Sequence, residues 1–218
     1  MIIAGVDEAG RGPVLGPLVM AIASIKKEDE FKLHAIGVKD SKLLSKKKRE
    51  ELFPIVKELC KVDYVIVTPG EVDDALNSKT DNLNWIEART TAALVKTAKP
   101  DKAILDCPSR NLKSYSDYIK KRLGRKKTEI IVEHKADLNY LIVGAASIIA
   151  KVIRDREMEK MRKAIKKEVG SGYASDPITQ KFVAKYWNKT EFSKYFRKSW
   201  ETWQNKKKEA AQKRLGEF

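Results

Sequence analysis

Four acidic residues stand where apolar runs of the chain come to an end. Asp7 and Glu8 close "MIIAGVD" and open "EAGRG", Asp106 closes "AILD", and Asp137 lies just past "EIIVEH", at the entrance to a long helical pattern. In open α/β sheets the usable crevice lies beyond the carboxyl ends of the strands, so acids in these places are poised to share one rim. Carboxylates crowded together without a cation repel one another and titrate upward. The same oxygen-rich set is what hard divalent ions such as Mg²⁺ and Mn²⁺ require. Two such ions ~3.5–4 Å apart can clamp the attacking water and the leaving oxygen of a phosphodiester. Taken singly, each acid has an ordinary use: Asp137 as a helix cap, Asp106 as the start of a turn, Asp7 as a strand end. Their shared placement is what points to metal-assisted hydrolysis.

Neighbouring residues add less. Gly10, Arg11 and Gly12 follow the first acid pair. Glycines let backbone amides approach a ligand where a Cβ would obstruct, although the same triplet alone reads as a turn with a solvated arginine. His134 ends an apolar strand, and hard-metal sites favour oxygen over imidazole, so it reads as structural rather than as a ligand or proton shuttle. Cys107 directly follows Asp106 but has no base partner, so it reads as a small reduced filler.

The elements that must position the acids follow from hydrophobic periodicity. "MIIAGVD" and "LVMAIASI" predict two buried strands in a hairpin-like pair, and "DYVIVTP", "KAILD" and "EIIVEH" predict three more. "SKKKREELFPIVKEL" predicts a helix capped by Ser45 and kinked or broken at Pro54. "LNWIEARTTAALVKTAK" and "NLKSYSDYIKKRLG" predict helices, the latter stopped by Gly124. From Leu138 to about Lys167, the stripe Leu138, Leu141, Ala145, Ile148, Ile149, Val152 and Ile153 predicts one long helix ending before Gly170 and Gly172. Strand–strand followed by alternating helix and strand indicates an α/β fold with a mixed β-sheet flanked by helices. Beyond about residue 170 the chain turns helical, aromatic and basic, a C-terminal helical extension. The expected division is a catalytic domain over 1–170, the extension over 171–205 and a basic tail over 206–218.

Of the 218 residues, 45 are Lys or Arg against 30 Asp or Glu, a formal charge of +15 that attracts polyanions, nucleic acid first among them. Two cysteines make neither a disulfide framework nor a zinc site. No leader pattern opens the chain, and no apolar stretch nears the ~18 residues that span a bilayer. A cytoplasmic protein, monomeric and without a membrane partner, is expected.

The ordered set "GVDEAGRGPVLGPLV", "KDSKLL", "AILDCP", "EHKAD", "AASIIAKVIRDRE" and "GSGYASDP" resembles the ribonuclease HII family, the type 2 ribonucleases H, in a compact form similar to archaeal members, from residue 2 to about residue 200. The resemblance implies a ribonuclease H-like fold. It also implies cleavage of the RNA strand of RNA–DNA hybrids, and cleavage on the 5′ side of ribonucleotides embedded in duplex DNA, by two-metal hydrolysis leaving 3′-hydroxyl and 5′-phosphate ends. Two Mg²⁺ or Mn²⁺ ions would be held by Asp7, Glu8, Asp106 and Asp137. It further implies that Gly10, Arg11 and Gly12 sense the 2′-hydroxyl, that Tyr173 packs on the sugar at the RNA–DNA junction, and that Lys42 contacts a phosphate. Asn84, Ser147 and Lys151 lie in matching segments and are implied to bind substrate.

The end of the chain carries a separate pattern. Gln212, Leu215 and Phe218 have the spacing Q-x-x-L-x-x-F, which one helical turn would present for helix-in-groove docking. It resembles the peptide by which replication and repair enzymes dock on the ring-shaped sliding clamp, with one terminal aromatic where that motif has two. Two rival readings make different predictions. A 3′–5′ exonuclease would need neither the glycine loop nor Tyr173, and a non-catalytic hybrid-binding protein would be indifferent to Asp7→Asn.

Overall fold

The first apolar run becomes β1 (Ile2–Ala9) and the second β2 (Leu18–Lys26), antiparallel partners from Ile2 opposite Lys26 to Ala9 opposite Val19. Nearly every residue of both is buried, the pattern of central strands covered on both faces. The structure, a computed structural model, describes residues 1–38, 44–124 and 127–215, with the side chains of 213–215 excepted. In chain order there follow α1 (Phe31–Ala35), α2 (Lys46–Leu59), β3 (Lys61–Val67), α3 (Pro69–Asn77), α4 (Leu83–Ala98), β4 (Lys102–Asp106) and α5 (Leu112–Leu123). After these come β5 (Glu129–Glu133), α6 (Ala136–Asn139), α7 (Leu141–Ile165), α8 (Pro177–Tyr186) and α9 (Glu201–Leu215). The sheet runs β3-β2-β1-β4-β5, with β1, β4 and β5 parallel and β2 antiparallel to β1. This is the expected mixed sheet with helices around it, followed by helices at the C-terminal end.

The chain divides into two compact units. The first comprises Met1–Ala9, Val19–Ile66 and Leu83–Arg154, with a core that includes Ile3, Val19, Leu52, Val56, Ile104, Ile148 and Ile149. Within it the start of α7 lies directly on β1: a Cβ on Gly5 would stand 2.4 Å from backbone atoms of Ile142 and Val143. The second comprises Gly10–Leu18, Val67–Asn82 and Asp155–Phe218, with its own core of Val14, Leu15, Met158, Met161, Phe182, Phe192 and Phe196.

Three local features differ from the periodicity-based expectation. Pro54 neither breaks nor ends α2, which runs unbroken from the Ser45 cap to Leu59. Its ring stands on the exposed face, where water can serve the carbonyl that loses its helical donor. The expected single helix from Leu138 is two. Tyr140 is extended (φ −128°, ψ 119°), its N–H closing α6 on Ala136 and its carbonyl accepting the amides of Val143 and Gly144. Leu138 is therefore exposed rather than part of the apolar stripe. Finally, α3 was not foreseen, although a capping box joins Thr68 to Glu71 with Pro69 at the first helical position.

Candidate active site

Parallel pairing of β1 with β4 brings the first acids together. Val6 pairs with Leu105, so the next step of each strand carries Asp7 and Asp106, and both strands end at the same edge of the sheet. Oxygens of Asp7, Glu8 and Asp106 lie within 4.8 Å of one another, the group of carboxylates among the described residues that could hold a metal ion. Glu8 donates its backbone N–H to Asp7 Oδ1 at 2.7 Å. Asp106 Oδ1 accepts the amide of Ala136 at 2.9 Å, which ties β4 to the turn where Lys135 takes a left-handed conformation (φ 57°). That turn delivers Asp137, 3% exposed, into α6. Asp137 is not one of the 4.8 Å group, but its charge acts on Asp7.

The electrostatics of the cluster centre on Asp7. Burial drives its pKa up from 3.8 to about 7, and the negative charges of Asp106 and Asp137 push in the same direction. Hydrogen bonds from the Ser147 hydroxyl and from the Glu8 amide oppose the rise. Without a cation the site thus half-protonates a carboxyl near neutrality. An all-oxygen set under such mutual repulsion fits a hard divalent ion, whose charge would offset both burial and repulsion.

Ser147, expected from the resemblance to bind substrate, lies beside the acidic cluster. It is fully buried on α7, and its hydroxyl hydrogen-bonds the Asp7 carboxyl. His134 Nδ1 lies 3.0 Å from the Cys107 carbonyl. A carbonyl only accepts, so this nitrogen carries the proton and is not a metal donor. Burial pushes the Cys107 thiol up to about 11, which suits an inert filler. Asn84, in the first turn of α4, and Lys151, in α7, are half-buried. Lys42 lies outside the described residues. Sequence reasoning missed Glu87, fully buried on α4, whose charge reaches Cys107 and Tyr115 together with that of Glu8. The detectable signal was an acid among the buried residues Thr91, Leu94 and Val95, which share its side of the helix.

In the second unit, Gly10 takes a positive φ of 86° that a side chain would resist. The following segment is pinned by backbone bonds from Val14 and Leu15 to the Gly172 carbonyl and from Gly16 to the Tyr195 carbonyl. Gly12 is exposed, and a Cβ there would lie 3.6 Å from the Tyr173 ring, so loop and tyrosine share one surface. Tyr173 is 39% exposed. Arg197, wholly buried and also missed, supports the loop. At the chain end, Gln212 is exposed on α9, Leu215 is its last residue, and Phe218 lies outside the described residues.

Two adjacent parallel strands ending in carboxylates close enough to share a cation define an acidic-site hydrolase of the ribonuclease H-like class. The Ribonuclease HII family model matches residues 4–203. A Ribonuclease HII of Methanococcus maripaludis (strain C6) is 45% identical over 98% of this chain and 90% of its own length. The crystal structure of the ribonuclease H2 from Pyrococcus horikoshii superposes with a TM-score of 0.85 at 40% identity, covering 96% of this chain and 98% of that one. The enzyme in the PCNA:RNase HII complex from Archaeoglobus fulgidus superposes with a TM-score of 0.77 at 38% identity, covering 84% and 86%. The chain belongs to the ribonuclease HII family and is an endonuclease of the ribonuclease H type. No helix among its described residues is long and apolar enough to cross a membrane.

Proposed function

We propose that the protein cleaves the RNA strand of RNA–DNA hybrids and the 5′ side of ribonucleotides embedded in duplex DNA, leaving 3′-hydroxyl and 5′-phosphate ends. The observation that carries this reading is the convergence of Asp7, Glu8 and Asp106 within 4.8 Å, with Asp137 in electrostatic reach. These four residues would hold two Mg²⁺ or Mn²⁺ ions, which supply a nucleophile at neutral pH and charge stabilisation for the leaving oxygen. Ser147 holds the Asp7 carboxyl in orientation, and the Glu8 amide donates to Asp7 Oδ1. Asp106 is set by the Ala136 amide, so the donor atoms are arranged before substrate arrives.

Selectivity is assigned to the loop that continues from β1. Only RNA offers a 2′-hydroxyl, both donor and acceptor, and the backbone of Gly10, Arg11 and Gly12 is close-approach geometry for reading it. The Tyr173 ring beside Gly12 would pack on the deoxyribose following the scissile bond, where an added hydroxyl fits poorly. Arg11, Lys42, Asn84 and Lys151 would hold phosphates and set register, and the charge of +15 strengthens all such contacts at low salt. The A. fulgidus relative was solved with PCNA. Gln212, Leu215 and Phe218 are proposed to dock this chain, a cytoplasmic monomer, on a sliding clamp.

The test is a duplex with one ribonucleotide, incubated with Mg²⁺, Mn²⁺ or a chelator, with the products sized. The reading expects a metal-dependent cut 5′ of the ribonucleotide. Cutting on the 3′ side, or equal cutting of all-DNA duplex, contradicts it.

A further inference from the structure

The loop of Gly10, Arg11 and Gly12 has its carbonyl groups taken by two side chains from a distant segment. Arg197 is 0% exposed. Its Nε donates to the Gly16 carbonyl at 3.1 Å, Nη1 to that of Arg11 at 2.7 Å, and Nη2 to that of Gly10 at 2.5 Å. The guanidinium lies over the Trp200 ring, 4.8 Å from its centroid, and the Trp200 indole N–H donates to the Gly12 carbonyl at 2.9 Å. All three loop carbonyls are therefore engaged from one side.

The consequence follows from peptide geometry. Every described peptide bond is trans. In a planar trans peptide the N–H points opposite to the C=O of the preceding residue. Holding the carbonyls of Gly10 and Arg11 against Arg197 aims the N–H groups of Arg11 and Gly12 the opposite way. The clamp is itself founded. The Arg197 amide bonds to the Val14 carbonyl at 2.9 Å, and the carboxylate of buried Asp73 accepts the amides of Lys198 and Ser199 at 2.8 and 2.9 Å and the Ser199 hydroxyl at 2.5 Å. A buried guanidinium is costly unless its donors are met, and a chain that only needed a strut could fill this space with apolar side chains.

We infer that Arg197, with Trp200, is the positioning residue for ribose recognition: it fixes the direction of the loop amides, so selection of the 2′-hydroxyl depends on a side chain that does not touch the substrate. This rests on the proposed reading of the loop as the ribose sensor.

Two variants test it. Arg197→Lys keeps the charge but replaces the planar fork by a point donor that cannot span three carbonyls. Trp200→Phe keeps the ring under the guanidinium and removes only the bond to Gly12. Each is assayed for kcat/KM on a single-ribonucleotide duplex, for the inhibition constant of an all-DNA duplex of the same sequence as competitor, and for Tm. The inference expects Arg197→Lys to lower kcat/KM about tenfold or more, the value of one charge-assisted hydrogen bond, and Trp200→Phe about threefold. The all-DNA inhibition constant should stay within about twofold in both. Wild-type kcat/KM in either folded variant, or equal losses in cleavage and all-DNA binding, overturns the inference and leaves Arg197 a strut. If Arg197→Lys does not fold, Trp200→Phe decides. A wild-type enzyme that cuts the all-DNA duplex as well as the ribonucleotide one refutes the loop reading and this inference together, whereas selection retained by wild type and variants alike refutes the inference alone.

Discussion

A single methyl group at Gly5 should disable the site without touching it. Gly5 lies in the middle of β1, two residues before Asp7, and an added Cβ would meet the Ile142 carbonyl group and the Val143 nitrogen at 2.4 Å. Ordinary contact for a Cβ begins at 3.4 Å, so β1 and α7 must part by about 1 Å, and every obstructing atom is backbone that cannot rotate away. Overpacking of a tight interior costs about 1–3 kcal/mol. With backbone as the obstacle the upper end applies, and for a chain of this size about 3 kcal/mol lowers Tm by roughly 6–12 °C. The same displacement separates Asp7 and Glu8 on β1 from Ser147 on α7, and an error of about 1 Å in a catalytic geometry can cost ~10²-fold in rate. Gly5→Ala is to be compared with wild type by thermal melting and by single-turnover cleavage of a single-ribonucleotide duplex at saturating metal. Gly70→Ala is the control: it sits in the first turn of α3 with Thr68 Oγ1 as its nearest neighbour at 4.0 Å. It should leave cleavage unchanged and raise stability by about 0.4–1 kcal/mol. A Gly5→Ala protein with wild-type Tm and a rate within about twofold of wild type would refute the packing argument.

Other predictions follow from the same geometry. Asp7 has a folded pKa of about 7 against the usual 3.8, so the metal-free native state keeps a proton that the unfolded chain releases. Its contribution is therefore fully present below about pH 4 and is lost as pH rises toward 7, up to about 4 kcal/mol in all. Metal-free melts should show this decline in wild type and lose it in Asp7→Asn, which also abolishes cleavage; a decline of equal size in the variant would assign it to another group. Mn²⁺, competing with that proton, should raise Tm more at pH 8 than at pH 5. Asp176, the N-cap of α8, has its pKa held down to about 2 by the Ser171 and Ile178 amides, so its contribution stands above about pH 4 and is lost as acid approaches pH 2. Asp176→Ala should melt lower than wild type at pH 7, with the gap closing toward pH 2. Removing residues 212 to 218 should abolish capture by a sliding clamp and spare cleavage; capture that survives truncation would refute the tail assignment.

What the sequence made legible was local. β1, β2, β4 and β5 announce themselves as apolar, β-branched runs, and the acids at or just past the ends of β1, β4 and β5 are conspicuous for sharing that placement. That three of them meet is not written locally, because it depends on the parallel pairing of Val6 with Leu105, a register between segments about a hundred residues apart. The split of the expected long helix at Tyr140 was hidden because α6 and α7 share one apolar periodicity, and the break lies in backbone angles rather than composition. Arg197 was invisible for another reason. Among 45 Lys and Arg, nothing in type or spacing marks Arg197 as a residue whose donors turn inward. Glu87 differed: an acid on the buried stripe of α4 was a readable anomaly. Ser147, matched only by segment, acquires its part from the hydroxyl contact to Asp7.

Crystals soaked in Mn²⁺ and measured at the manganese absorption edge test the central claim most directly. Anomalous density should stand within about 2.5 Å of carboxylate oxygens of Asp7, Glu8 and Asp106, with Asp137 turned to the same position, and it should vanish in Asp7→Asn. Density elsewhere, or none beside these side chains, would contradict the account.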